Sequence, residues 1–199
     1  MLYRETDFHT RQRTKYGAPF VDVHRADLQQ ALYARAVALG VTFSLDERVV
    51  ALDVAGRTDA SLTTASGKSF TADLVIGADG LWSQCRKTFL KDAPRSQPIP
   101  TGDLAYRIVL TLDEISDEDL WEWVRKPTVH FWIGPGAHAV GYSLRGGEMY
   151  NIVLLVPDNL PNKVSKEQAS VQEMRELFSS WDPTLVSFFF LIRLHINFP

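Results

Sequence analysis

The stretch Asp73-Leu74-Val75-Ile76-Gly77-Ala78-Asp79-Gly80-Leu81-Trp82-Ser83-Gln84-Cys85-Arg86 decides the fold class. Leu74 to Ala78 is a continuous apolar run, the pattern of a strand covered on both faces in an α/β sheet. Asp79-Gly80 reads as a turn, and Trp82 to Leu90 as a helix. Ligands of α/β sheets bind at the carboxyl ends of strands, where Asp79 and Gly80 fall. Gly77 and Gly80 let a ligand approach the backbone closely. Ser83 and Arg86 lie three apart and share a helix face. The same residues read equally well as a plain strand-turn-helix with Asp79 as the cap.

Upstream, residues 1–20 are polar and read as irregular, closing at Gly17-Ala18-Pro19. A short apolar stretch, Phe20 to Val23, precedes a helix over Arg25 to Leu39. Leu28, Ala31, Leu32, Arg35, Ala36 and Leu39 recur at helical spacing, and Gly40 stops it. Strands are expected at Val41 to Leu45 and Val49 to Val54. A hairpin pairs Ser61–Ala65 with Ser69–Ala72 around Ser66-Gly67-Lys68. Downstream, Pro94, Pro98 and Pro100 punctuate a polar linker. The expected domains are therefore 1–98 and 99–199.

The second domain is richer in strands. Leu104, Tyr106, Ile108, Leu110 and Leu112 alternate along one face. A short acidic helix spans Asp117 to Val124. Val129–Ile133, Ala139–Leu144 and Glu148–Val156 read as strands, the last two joined by Arg145-Gly146-Gly147. Ser165-Lys166-Glu167-Gln168 is a capping box for a helix ending near Ser179. Ser187 to Ile192 is hydrophobic with no evident partner, so the stretch from Val186 reads as a truncation or misread gene end. The fold class expected is α/β (α+β).

Composition excludes several functions. The chain has 199 residues, with 21 Lys plus Arg and 24 Asp plus Glu, a net charge of −3. Apolar residues at 45% and charged residues at 23% exclude a disordered chain. No basic excess suggests nucleic acid. One cysteine, Cys85, excludes an internal disulfide framework, and the five histidines lack metal-ligand spacing, so no metal is expected. The first residues lack a signal peptide's apolar core. Leu185 to Ile192 is too short to span a membrane, which needs about 20 residues. A soluble, cytoplasmic protein is the expectation; the oligomeric state is not readable.

Three further segments bear on chemistry. In His24-Arg25-Ala26-Asp27-Leu28, Arg25 opens a helix and Asp27 suits its positive end. In Thr101-Gly102-Asp103-Leu104-Ala105-Tyr106-Arg107, Arg107 sits on the strand face of Ala105 and Val109, where a charge is costly unless paired. Tyr142 lies on a strand with Val140 and Leu144, and a packed core tyrosine is the commoner reading. Gly134-Pro135-Gly136-Ala137-His138-Ala139 mimics a dinucleotide fingerprint. The next residues, Val140 to Leu144, alternate like a strand rather than opening a helix, so the segment reads as a loop. Trp132, Tyr150 and Asn151 read as structural.

The Asp73–Arg86 stretch resembles the "DG" motif of class A flavoprotein monooxygenases, the aromatic hydroxylases. His24–Leu28 is similar to their HRxxL segment, and Ala105-Tyr106-Arg107 to the AYR strand of salicylate-hydroxylase-like members. The resemblance covers roughly residues 17 to 185. It implies a partial FAD-binding Rossmann-like domain followed by a mixed-sheet substrate domain. It implies that Asp79, Gly80 and Arg86 serve FAD and the nicotinamide cofactor, and that Arg25 contacts FAD. Arg107 would be an active-site residue, with Tyr142 in the substrate pocket. The reaction implied is hydroxylation of a phenolic ring with NAD(P)H and O₂. The family's GxGxxG unit does not precede Arg25, and its later "GD" segment does not come after Pro199, so the expectation is an internal fragment. The alternatives are a truncated, non-catalytic product that cannot hold FAD, or a related epoxidase or reductase. The small aromatic substrate is the expected partner.

Overall fold

The computed structural model describes residues 7–53, 59–90, 93, 97–158 and 170–192. It divides into two compact units, Met1–Tyr33 with Gly102–Pro199, and Ala34–Thr101. The architecture is α/β, with helices and antiparallel sheets.

Helix α1 (Phe8–Tyr16) lies where the sequence reads as irregular. It has no apolar stripe, so periodicity is silent. Its Arg, Gln and Lys residues are good helix formers. Gly17 (φ 69) ends it, donating its N–H to the Arg13 carbonyl. Helix α2 (Arg25–Ala38) stands where its spacing predicts.

In the Ala34–Thr101 unit, β1 (Val49–Asp53), β2 (Ala60–Thr64) and β3 (Ser69–Ala72) form an antiparallel meander in that order. The hairpin turns at Gly67 (φ 85), as its sequence predicts. Helix α3 (Gln84–Leu90) comes next. Two expected strands are not formed, Val41–Leu45 and Leu74–Ala78. Both are apolar runs, but a strand exists only where a neighbour accepts its backbone hydrogen bonds, and none pairs with them among the described residues. Leu74 is 73% exposed and Ile76 80%. Among the described residues of this unit only Thr64 and Ser83 are buried.

The other unit holds the core. Strands β4 (Asp103–Thr111), β5 (Val129–Gly134), β6 (Ala137–Leu144) and β7 (Met149–Pro157) form one antiparallel sheet in the order β4-β7-β6-β5. The fingerprint mimic is the tight turn between β5 and β6, where Gly134 pairs with Ala137. Side chains alternate between the faces. Leu110, Ile108, Tyr150, Ile152, Leu154 and Ala139 all lie on the covered face.

Three helices pack with that face. Helix α4 (Glu118–Arg125) buries Leu120 and Val124, and Asp117 caps it by accepting the Leu120 N–H at 2.9 Å. Helix α5 (Val171–Leu177) starts at the cap Ser170; the capping box at Ser165 lies outside the described residues. Helix α6 (Pro183–Leu191) begins with Pro183 after the cap Asp182. The apolar stretch from Val186 contributes Phe188, Phe189 and Ile192 to the core, while Phe190 stays exposed. Leu185, Phe188 and Phe189 are fully buried, and Phe188 stacks on Tyr150 at 4.9 Å between ring centroids. Its partner is a strand over thirty residues earlier, which no local pattern reveals. Arg175 closes the end of α6, donating to the carbonyls of Phe189 (2.8 Å) and Ile192 (3.2 Å).

Beneath α4 a polar chain threads the apolar layer. Trp123 Nε1–H donates to the Tyr150 hydroxyl at 3.1 Å, and that hydroxyl bonds His130 Nδ1 at 3.1 Å. Trp123 stacks on the His130 ring at 4.0 Å. With Tyr150 donating to Nδ1, the His130 Nε2–H is left for Thr128 Oγ1 at 3.4 Å, and every member is satisfied by a neutral imidazole. Gly141 makes room: a Cβ there would stand 2.5 Å from the Tyr150 hydroxyl.

Candidate active site

The sheet's other face is open, and it carries two of the residues singled out from sequence. The register places Val109, Asn151, Tyr142 and Val129 in one row, and Arg107, Val153, Val140 and Phe131 in the next. Arg107 is exposed and Tyr142 half-buried. Arg107 engages no hydrogen bond or ion pair among the described residues. A guanidinium standing free on an apolar floor is suited to a planar anion, which it binds through two parallel N–H donors. Asn151, read from sequence as structural, lies between Val109 and Tyr142 on this same face. It is buried, and its Nδ2 has no hydrogen-bond partner among the described residues. Strand alternation could have placed it with Arg107, but pairing Asn151 with Tyr142 required the register.

Asp79, Gly80 and Arg86 come together in the turn that opens α3. The Asp79 carboxylate accepts from Ser83 Oγ–H at 2.6 Å and from the N–H groups of Gln84 (2.7 Å) and Cys85 (3.0 Å). These bonds, the Ser83 hydroxyl first, hold its pKa well below the ordinary carboxylate range. Asp79 is thus the helix cap that one reading of the sequence predicts. Ser83 Oγ accepts the Arg86 N–H at 2.9 Å, and the Arg86 guanidinium folds back onto the Leu81 carbonyl. Gly80 takes φ 70, and nothing lies within 4 Å of where its Cβ would be. Gly77 instead admits Cys85, whose Sγ would be 2.6 Å from a Cβ. Replacing Asp79 with alanine should fray α3, speeding amide exchange at Gln84 and Cys85 roughly fivefold or more. Unchanged protection would refute the capping role.

Arg25 is exposed at the first position of α2. Two residues on, Asp27 receives a bidentate grip from Arg145, Nε to Oδ2 at 2.7 Å and a terminal nitrogen to Oδ1 at 2.6 Å. This bond ties the α2 start to the β6–β7 turn, where Arg145 itself takes φ 49. It lowers the Asp27 pKa. Nothing in the sequence links residues 118 apart. Among the described residues no cluster of His, Cys, Asp or Glu could hold a metal ion, and no helix is long and apolar enough to cross a membrane.

Residues 4–179 match the family described as FAD binding domain. FAD-dependent monooxygenase OpS4 of Beauveria bassiana is 45% identical over 189 residues, covering 94% of this chain and 44% of that protein. The 3-hydroxybenzoate 6-hydroxylase of Polaromonas naphthalenivorans is 29% identical over 174 residues, covering 86% of this chain and 40% of its own. A solved salicylate hydroxylase substrate complex shares the fold with TM-score 0.63 at 24% identity, covering 85% of this chain and 44% of that one. The chain spans less than half the length of these relatives.

Proposed function

The chain belongs to the FAD-binding domain family, and from that premise we propose that it is part of an FAD-dependent monooxygenase that hydroxylates a small phenolic acid with NAD(P)H and O₂. The observation that carries this reading is the open sheet face. It offers the Arg107 guanidinium over a floor of Val109, Val140, Val153 and Phe131, with Tyr142 alongside. A benzenoid ring with an anionic substituent matches that surface in polarity and charge.

The residues fit FAD as well. The left-handed Gly80 turn leaves backbone bare on one side, and Leu81 and Trp82 beside it are exposed apolar surface. In the Ala34–Thr101 unit, Gly80, Arg86 and the Asp79-capped turn would hold the cofactor, which when bound and reduced supplies the activated oxygen; the role of Arg25 rests on the family resemblance alone. The chain's own part is to bind and orient the ring. Arg107 would pair with a carboxylate or favour the ionised phenol, since a nearby positive charge lowers a phenol's pKa. The phenolate is the more electron-rich ring and the better partner for an electrophilic oxygen.

A non-catalytic reading is favoured by one observation, the exposure of Leu74, Ile76, Leu81 and Trp82 in a unit with so little core. One spectrum separates the two. The chain, mixed with excess FAD and desalted, should retain a visible flavin band, and Arg25→Ala should lose part of it. A colourless wild-type protein would leave the activity to the longer polypeptides alone. In a flavin-retaining protein, Arg107→Ala should slow hydroxylation of a phenolic acid roughly 10²-fold with the flavin band unchanged. Unaltered turnover would remove Arg107 from the site.

A further inference from the structure

The structure assigns to Asn151 the role of reading the ring hydroxyl of the substrate, a specificity-determining contact opposite Arg107. The assignment rests on the open face being the site of a phenolic acid. Asn151 is 9% exposed, and its Nδ2 has no hydrogen-bond partner among the described residues. The other buried polar group of this sheet's centre, the Tyr150 hydroxyl, has two partners. A buried amide without a partner destabilises a fold, and such a group calls for an explanation. Leucine would fill nearly the same volume between Val109 and Tyr142 without that cost.

The explanation lies in where Asn151 sits. It is directly opposite both Val109 and Tyr142, and Arg107 is two residues along β4 from Val109. Arg107 and Asn151 are thus diagonal neighbours on one face, about 7–8 Å apart along the backbone. That separation suits two oxygen-bearing substituents on one benzene ring, the anionic one at Arg107 and the hydroxyl at Asn151. A carboxamide serves either state of the hydroxyl. Its C=O accepts from a phenol O–H, and its N–H₂ donates to a phenolate. A site with a polar group committed to a substrate hydroxyl rejects the analogue lacking it, because that group is then left unpaired.

The test is equilibrium binding of 3-hydroxybenzoate and of benzoate to the 199-residue chain with FAD in excess. Wild type should bind 3-hydroxybenzoate at least ~10-fold more tightly than benzoate. Asn151→Leu should bring that ratio to about 1 by weakening 3-hydroxybenzoate alone, while raising the Tm by a few degrees because an unpaired amide is gone. The Asn151 side-chain amide signals of the ¹⁵N-labelled wild type, which need no variant, should move with 3-hydroxybenzoate and stay put with benzoate. A ratio that survives Asn151→Leu, or amide signals indifferent to the hydroxyl, would overturn the assignment. If both acids bind equally and Arg107→Ala weakens both, the aromatic-acid site stands and the Asn151 role falls. If neither acid binds wild type, the site itself falls and takes this role with it.

Discussion

Phe188→Ala is expected to destabilise the Gly102–Pro199 portion by about 3–5 kcal/mol, the cost of emptying a phenylalanine site in a packed core. Phe188 is fully buried in α6 and stacks on Tyr150 at 4.9 Å. Truncation removes its buried area and leaves a cavity beside a ring whose hydroxyl already serves two partners. Tyr150 cannot move in to fill it without breaking those bonds. For a chain of this size the loss corresponds to a fall in Tm on the order of 10 °C. Phe190→Ala is the matched control. Phe190 is 72% exposed, with the Arg175 guanidinium 5.6 Å from its ring centroid. Its removal should cost well under ~1 kcal/mol. Equal losses for the two variants in urea unfolding would show that α6 does not pack as described.

Acidification from about pH 7 to about 4.5 should cost wild type stability that His130→Gln does not lose. Burial beneath Trp123 and Trp132 lowers the His130 pKa from 6.5 to about 4. In the unfolded chain the same imidazole titrates near its ordinary value. Between those two values the unfolded state binds the proton and the folded state does not, so stability falls as pH falls. The contribution is fully present above about pH 6.5 and spent by about pH 4, and after solvent screening of a partly exposed ring amounts to on the order of 1–2 kcal/mol. The network explains the direction. Neutral His130 accepts from Tyr150 and donates to Thr128, whereas a charged ring must donate at both nitrogens and turn the Tyr150 hydroxyl into an acceptor twice over. Carboxylates held low by hydrogen bonds, such as Asp79 and Glu47, lose their contribution mainly below about pH 4.5, beneath the range of the comparison. Chemical denaturation at several pH values across that range measures the difference. Parallel curves for wild type and His130→Gln would refute the assignment of this window to His130.

Where the candidate residues stand was partly legible in the sequence. The alternation over Leu104–Leu112 put Arg107 on the face opposite the core, and the structure leaves it there, exposed. Asp79 with Ser83 and the residues after it had the look of a helix cap and is one. What alternation could not show is that Tyr142 and Asn151 are cross-strand partners, because register is set by which strands pair and in what order.

The sequence by itself determined the elements whose physics is local: α2 by its 3.6-residue apolar spacing, the hairpin at Gly67, the turn at Gly136, the cap at Asp79 and the alternating strands after Gly102. Only the tertiary structure decided the rest. It made Phe188, Phe189 and Ile192 core by bringing α6 to Tyr150, joined Asp27 to Arg145, and left Leu74–Ala78 unpaired although its composition is that of a buried strand. The reason is common to all three. A residue's own preference states what surroundings would suit it, but a strand, an ion pair or a buried ring exists only when a distant part of the chain arrives to complete it, and that arrival is not written in the local pattern.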